Sequence, residues 1–164
     1  MLQSMADRGT ASGFVPPRTT FPHDALRRLH ELWQDKRAGH PLPAWADIDV
    51  LELEPWLGHL ILADVQRVEE DYDFRYRVYG TALAGWFGRD LTGKASGDLP
   101  DNLRRRSEAG YRSACRKAQP EMVCQPCTTR ETRCQLAKLI LPLGPSGPRP
   151  GLEVKHLLIA AYLV

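Results

Sequence analysis

The chain has 164 residues, 43% of them apolar and 26% charged, which is the makeup of one globular domain with enough apolar material to bury a core. Its formal net charge of +2 is small and evenly spread, so electrostatics gives no ground for a nucleic-acid or membrane-surface partner. No stretch comes near the roughly 18 consecutive apolar residues of a membrane span.

Residues 1–22 are rich in Gly, Pro, Ser and Thr and lack the apolar core of an export leader. They read as a flexible tail and imply a cytoplasmic protein, whose cysteines are then reduced thiols or ligands before they are structural disulfides. Residues 23–57 read as a helical cap. Leu26, Leu29, Leu32 and Trp33 fall at helical spacing in an amphipathic helix over residues 24 to 38, with Asp24 as its expected cap and Gly39, Pro41 and Pro43 closing it. Beyond it, Asp47, Asp49, Glu52 and Glu54 crowd a short helical segment broken by Pro55. With no His or Ser partner placed by spacing, these carboxylates read as a capped, solvated turn and not as an acid–base pair.

Residues 58–164 carry the strands. "LILADVQRV" and "FRYRVYG" read as a hairpin around the acidic turn Glu69 to Asp73, and alternation puts Phe74, Tyr76 and Val78 on one face with Arg75, Arg77 and Tyr79 on the other. A glycine-rich stretch of short helical pieces leads to a longer helix opening near Asp101, with Leu103, Ser107, Tyr111, Ala114, Cys115 and Ala118 along one side until Pro120. The basic run Arg104 to Arg106 lies on its solvated face. Three further strands follow, in "EMVCQPCTTR", "CQLAKLILPL" and "LEVKHLLIAAYLV". The order defines an α+β fold with an antiparallel sheet covered by helices. "LAKLILPL" and "HLLIAAYLV" are apolar on both faces, so the second face is covered by the first helix, by a second copy of the chain, or by both.

Few motifs point to chemistry. "GRDLTGKA", residues 88–95, has the spacing of a phosphate-binding loop but Ala95 where a magnesium-holding hydroxyl belongs, and a helical segment precedes it where such a loop needs a strand. It reads as a turn, with Lys94 in solvent. Cys124 and Cys127 sit at odd spacing on one strand and point to opposite faces, whereas Cys127 and Cys134 come opposite one another if the turn centres near Glu131. A metal-binding or thiol-redox protein built on Cys124, Cys127 and Cys134 is therefore the alternative function, against inert thiols as the plainer reading. The five histidines show no zinc-protease spacing and read as structural.

The stretch "FRYRVYGTALAGWFGRDLTGK", within an order of two strands, helical pieces, one longer helix and three strands, resembles the PAS sensory domain. Together with "ELWQDKRAGHPLPAWADID" and "HLILADV", it is similar to a variant PAS group found in bacteria as short proteins with an N-terminal helical cap. That resemblance implies a PAS-like five-stranded antiparallel sheet with central helices and a cap helix over residues 23–57, followed by the PAS-like core at residues 58–164. It implies a non-enzymatic domain in signal transduction, binding a small apolar ligand, a protein partner, or both, and pairing with itself. Its pocket, open or filled as a core, would be lined by Leu83, Trp86, Phe87, Tyr111 and Leu139. Leu26, Leu29, Leu32 and Trp33 would form the cap or dimer interface. No cofactor is identified: the flavin-bearing cysteine motif of light-sensing relatives is missing, and haem has no support.

Overall fold

The computed structural model describes residues 21–130, 132–147 and 152–164. The expected tail lies outside these except for its last two residues, as does Glu131 in the expected turn. Among the described residues there are three α-helices, α1 (Asp24–Arg37), α2 (Thr81–Phe87) and α3 (Asp101–Lys117). Five strands, β1 (Leu60–Val68), β2 (Asp71–Tyr79), β3 (Glu121–Thr128), β4 (Arg133–Leu143) and β5 (His156–Leu163), form one sheet in the order β2-β1-β5-β4-β3. Every neighbouring pair is antiparallel, which is the α+β plan expected from the sequence.

The apolar stripe of α1 buries Leu26, Leu29 and Trp33 fully and Leu32 partly. The cap differs from expectation: the His23 side chain accepts from the Ala25 N–H at 3.1 Å, while Asp24 is the first helical residue and binds Arg27 and Arg28. A carboxylate at that position favours the helix through the dipole instead. Ala38 and Gly39, both in left-handed conformation, end the helix. The acidic segment is a capped turn, as read. Asp47 accepts from the Ala44 N–H, Asp49 from the Leu51 N–H and Glu52 from the Asp49 N–H, and Glu52 also pairs with Lys36 at 2.8 Å. Two 3-10 segments, Trp45–Asp47 and Val50–Trp56, carry the chain to β1.

Helices cover both faces of the sheet. On the inner face, α3 lies against β3 and β4; a Cβ built on Gly110 would sit 2.7 Å from Val123 Cγ2 and 2.8 Å from Ile140 Cδ1, so only glycine permits this approach. On the outer face lies α1, with Trp33 Nε1 donating to the Pro142 carbonyl at 2.9 Å and Trp56 Nε1 donating to the Ala25 carbonyl at 2.7 Å. The two-sided apolar strands are therefore explained within one chain, because α1 covers the second face.

One side-chain assignment in β2 is corrected. Phe74, Tyr76 and Tyr79 are buried, while Val78 is exposed. The register shifts between Leu62, which pairs with Val78, and Ala63, which pairs with Tyr76, so Arg77 is an extra residue in the strand. The bulge reverses the alternation beyond it, turning Tyr79 in and Val78 out.

The "GRDLTGKA" segment lies along the free edge of β2. Gly93 N–H donates to the Tyr76 carbonyl at 2.7 Å, and Tyr76 N–H donates to the Lys94 carbonyl at 2.8 Å. Arg75 adds a bond to the Gly93 carbonyl, and Asp90 accepts from the N–H and hydroxyl of Thr92. Gly93 has φ +82°, and Lys94 is exposed. The segment shields a sheet edge, and the N–H groups of Gly88, Thr92, Gly93 and Lys94 are bonded within the protein.

Candidate functional site: a buried polar cluster beside a cleft

Alternation along β4 decides which residues meet α3. Leu136, Lys138 and Ile140 share the inner face, and the register sets them opposite Gln125, Val123 and Glu121 of β3. Lys138 is 2% exposed and donates to the Ser107 hydroxyl of α3. Gln125, 1% exposed, donates to the same oxygen through Nε2 at 3.4 Å, and its Oε1 has no partner among the described residues. The Lys138 ammonium stands 5.8 Å from the Tyr111 ring centroid, and the Tyr111 hydroxyl is 3.1 Å from that of Tyr76.

Among the described residues Lys138 forms no ion pair. Burial pulls its amine down to about 8, with the nearby Cys127 thiol working weakly the other way. Burial is also the main cause that holds the Tyr76 and Tyr111 phenols above their usual range. A cation without a countercharge is costly in a core, and this one is held by a hydroxyl and the face of an aromatic ring.

Cys127 and Cys134 are register partners at the end of the same hairpin, with their sulfurs 3.0 Å apart. Cys127 is 4% exposed and Cys134 half-buried. Burial, followed by the Cys134 thiol, pushes Cys127 up to about 12, against the pull of the Lys138 ammonium. Beside this pair opens a cleft of about 820 Å³ between the start of α3 and the β3–β4 hairpin, lined in part by Asn102, Arg106, Gln125, Cys127, Arg133 and Cys134. No aspartate or glutamate belongs to its described lining. The cluster is thus one residue deep behind a cleft whose mouth carries two arginines.

The five expected pocket residues do not come together here. Leu83 and Tyr111 are fully buried in the core. Trp86 and Phe87 are half-buried, with the Trp86 ring 5.3 Å from His59, which stacks on Tyr162 at 4.1 Å. Leu139 lies between Lys138 and Ile140, both directed at α3, so it points to the outer face covered by α1. None of the five lines the cleft. Of the interface set, Leu26, Leu29 and Trp33 are spent on the cap within the chain. The three cysteines of the metal reading do not share one face. Cys124 is exposed on the far face of β3, and the described residues hold no group of three or more His, Cys, Asp or Glu suited to a metal ion. Sequence reasoning missed Lys138, although a charged residue inside "LAKLILPL" was a visible signal that one face of that strand meets something polar.

The fold is a single antiparallel sheet, helix-covered on both faces, with a polar cluster under its long helix. The PAS domain family model matches residues 21–151, and the chain belongs to that family. Among solved structures it is similar to "the light state structure of the blue-light photoreceptor Aureochrome1 LOV", at 14% identity and a TM-score of 0.44, over 70% of this chain and 88% of that one. Among curated proteins, none matches. No helix among the described residues is long and apolar enough to cross a membrane.

Proposed function

We propose that this PAS domain is a non-enzymatic sensory module of the cytoplasm, taking part in signal transduction by binding a small molecule at the α3 cleft. The observation that carries the reading is Lys138: a buried amine with no carboxylate partner among the described residues, next to a cleft lined in part by Arg106 and Arg133. Such a site suits a ligand with an acidic group, whereas Leu83 and Tyr111, expected to line a pocket for an apolar one, are fully buried in the core. Ligand binding would bear on α3 through Ser107 and, through the strand between them, on the cap helix held to Pro142 of β4. Pairing with a second copy remains part of the proposal, although it no longer rests on an uncovered sheet face.

Native mass spectrometry of the purified chain tests this. An acidic molecule of defined mass should accompany the parent protein and be lost from the double variant Arg106→Glu, Arg133→Glu. Equal retention by both proteins would place binding elsewhere, and a bare chain in both would count against a ligand sensor. The same spectrum reads the oligomeric state.

A further inference from the structure

Strand parity singles out one thiol pair from the four cysteines. Cys115 is buried on α3 and Cys124 is exposed on the outer face of β3, while Cys127 and Cys134 share the inner face, in register, with sulfurs in contact. Both line the cleft, so a reagent that enters it meets them directly. Arg106 and Arg133 beside them favour an anionic reagent. We propose that Cys127 and Cys134 are a reversible dithiol–disulfide couple, oxidised within the folded chain by a low-molecular-weight disulfide and serving as a redox input at the mouth of the cleft.

The chemistry divides the labour between the two sulfurs. Cys134, the less buried, attacks one sulfur of the reagent as thiolate; a sulfur–sulfur bond forms to the protein, the reagent's own bond breaks, and one small thiolate leaves. Cys127 then gives up its proton and attacks the Cys134 sulfur, expelling the second small thiolate. Two protein thiols are oxidised by two electrons, one disulfide reagent is reduced to two thiols, and the two cysteine protons end on the two leaving sulfurs. Burial keeps Cys127 protonated until the mixed disulfide stands next to it, which suits the resolving role and not the attacking one. A crosslink there would tie β3 to β4 at the end of the hairpin that lines the cleft. The couple does not depend on the identity of any ligand.

The test treats the full chain with oxidised glutathione in a Cys124→Ser background, which removes the exposed competitor. Three thiols then remain of the four in the sequence. Thiol titration of the unfolded product should count three before oxidation and one after it, and three again after reduction. Trypsin cuts after Arg130 and Arg133, so a link should join the peptide of residues 118–130 to that of 134–138. Cys134→Ser should abolish the thiol loss, and Cys127→Ser should trap a glutathione adduct on Cys134. Three thiols remaining after treatment would overturn the proposal, as would a link to Cys115, a link between two chains, or a persistent Cys134 adduct in the protein that retains Cys127. The peptide map needs no further substitution, so it stays decisive if either serine variant fails to fold.

Discussion

The two faces of β4 are built on opposite terms. Its outer face presents Ala137, Leu139 and Leu141 to a helix that adds Leu26, Leu29 and Trp33, and the tryptophan N–H meets the Pro142 carbonyl, so the layer is apolar and satisfied. Its inner face sets Lys138 against Ser107 and Gln125, leaves the lysine without a countercharge and Gln125 Oε1 without a partner among the described residues, and ends in two thiols at an open cleft. Burial of apolar area stabilises the first arrangement. The second costs stability, which makes it the face to which a ligand or a redox signal has something to add.

Substitutions on the two faces should therefore behave differently. The largest loss is expected on the outer face: Trp33→Ala removes a ring that is 3% exposed and the bond to Pro142, and should lower unfolding free energy by about 3–5 kcal/mol in urea titrations. A small change there would mean that α1 is only loosely applied to the sheet.

On the inner face, Lys138→Met keeps the stem and deletes the charge. Near neutral pH it should leave stability unchanged or raise it by about 1–4 kcal/mol. The pH dependence fixes the cause. Because the folded lysine titrates at about 8, below the ordinary lysine value, the unfolded chain holds a proton that the folded chain releases between those two values. The penalty of burying the cation is in full force below the folded value and lifts as pH rises through that window, so the parent should gain on the variant there. A difference between the two proteins that stays flat with pH would mean that the amine is solvated.

The smallest effects belong to the edge loop. Gly93→Val forces a β-branched residue to φ +82° and should cost about 1 kcal/mol or more, while Lys94→Ala should change thermal stability by less than about 0.5 kcal/mol. Equal effects would contradict the placement of this segment along β2.

Much of the outer face was legible in the sequence, because helical spacing at Leu26, Leu29 and Trp33 and two-sided apolar strands both signal burial. The Cys127–Cys134 register was legible too, since the length of the connection sets which residues face each other. Three features were not. The extra residue at Arg77 reverses Tyr79 and Val78, and a bulge leaves no mark in a pattern of alternation. The face of Leu139 was not readable because in a strand apolar on both sides nothing local fixes parity; the contacts of Ile140 with Gly110 and of Lys138 with Ser107 do. His23 capped α1 in place of Asp24, since any side-chain acceptor at the position before the first turn can serve.

The distinction between the faces rests most directly on Lys138. Its amine titration, followed by heteronuclear NMR on selectively labelled lysine and assigned with Lys138→Met, should show a midpoint near 8. A midpoint at the ordinary lysine value of 10.5 would contradict the buried, unpaired cation and with it the case for the inner face as the site.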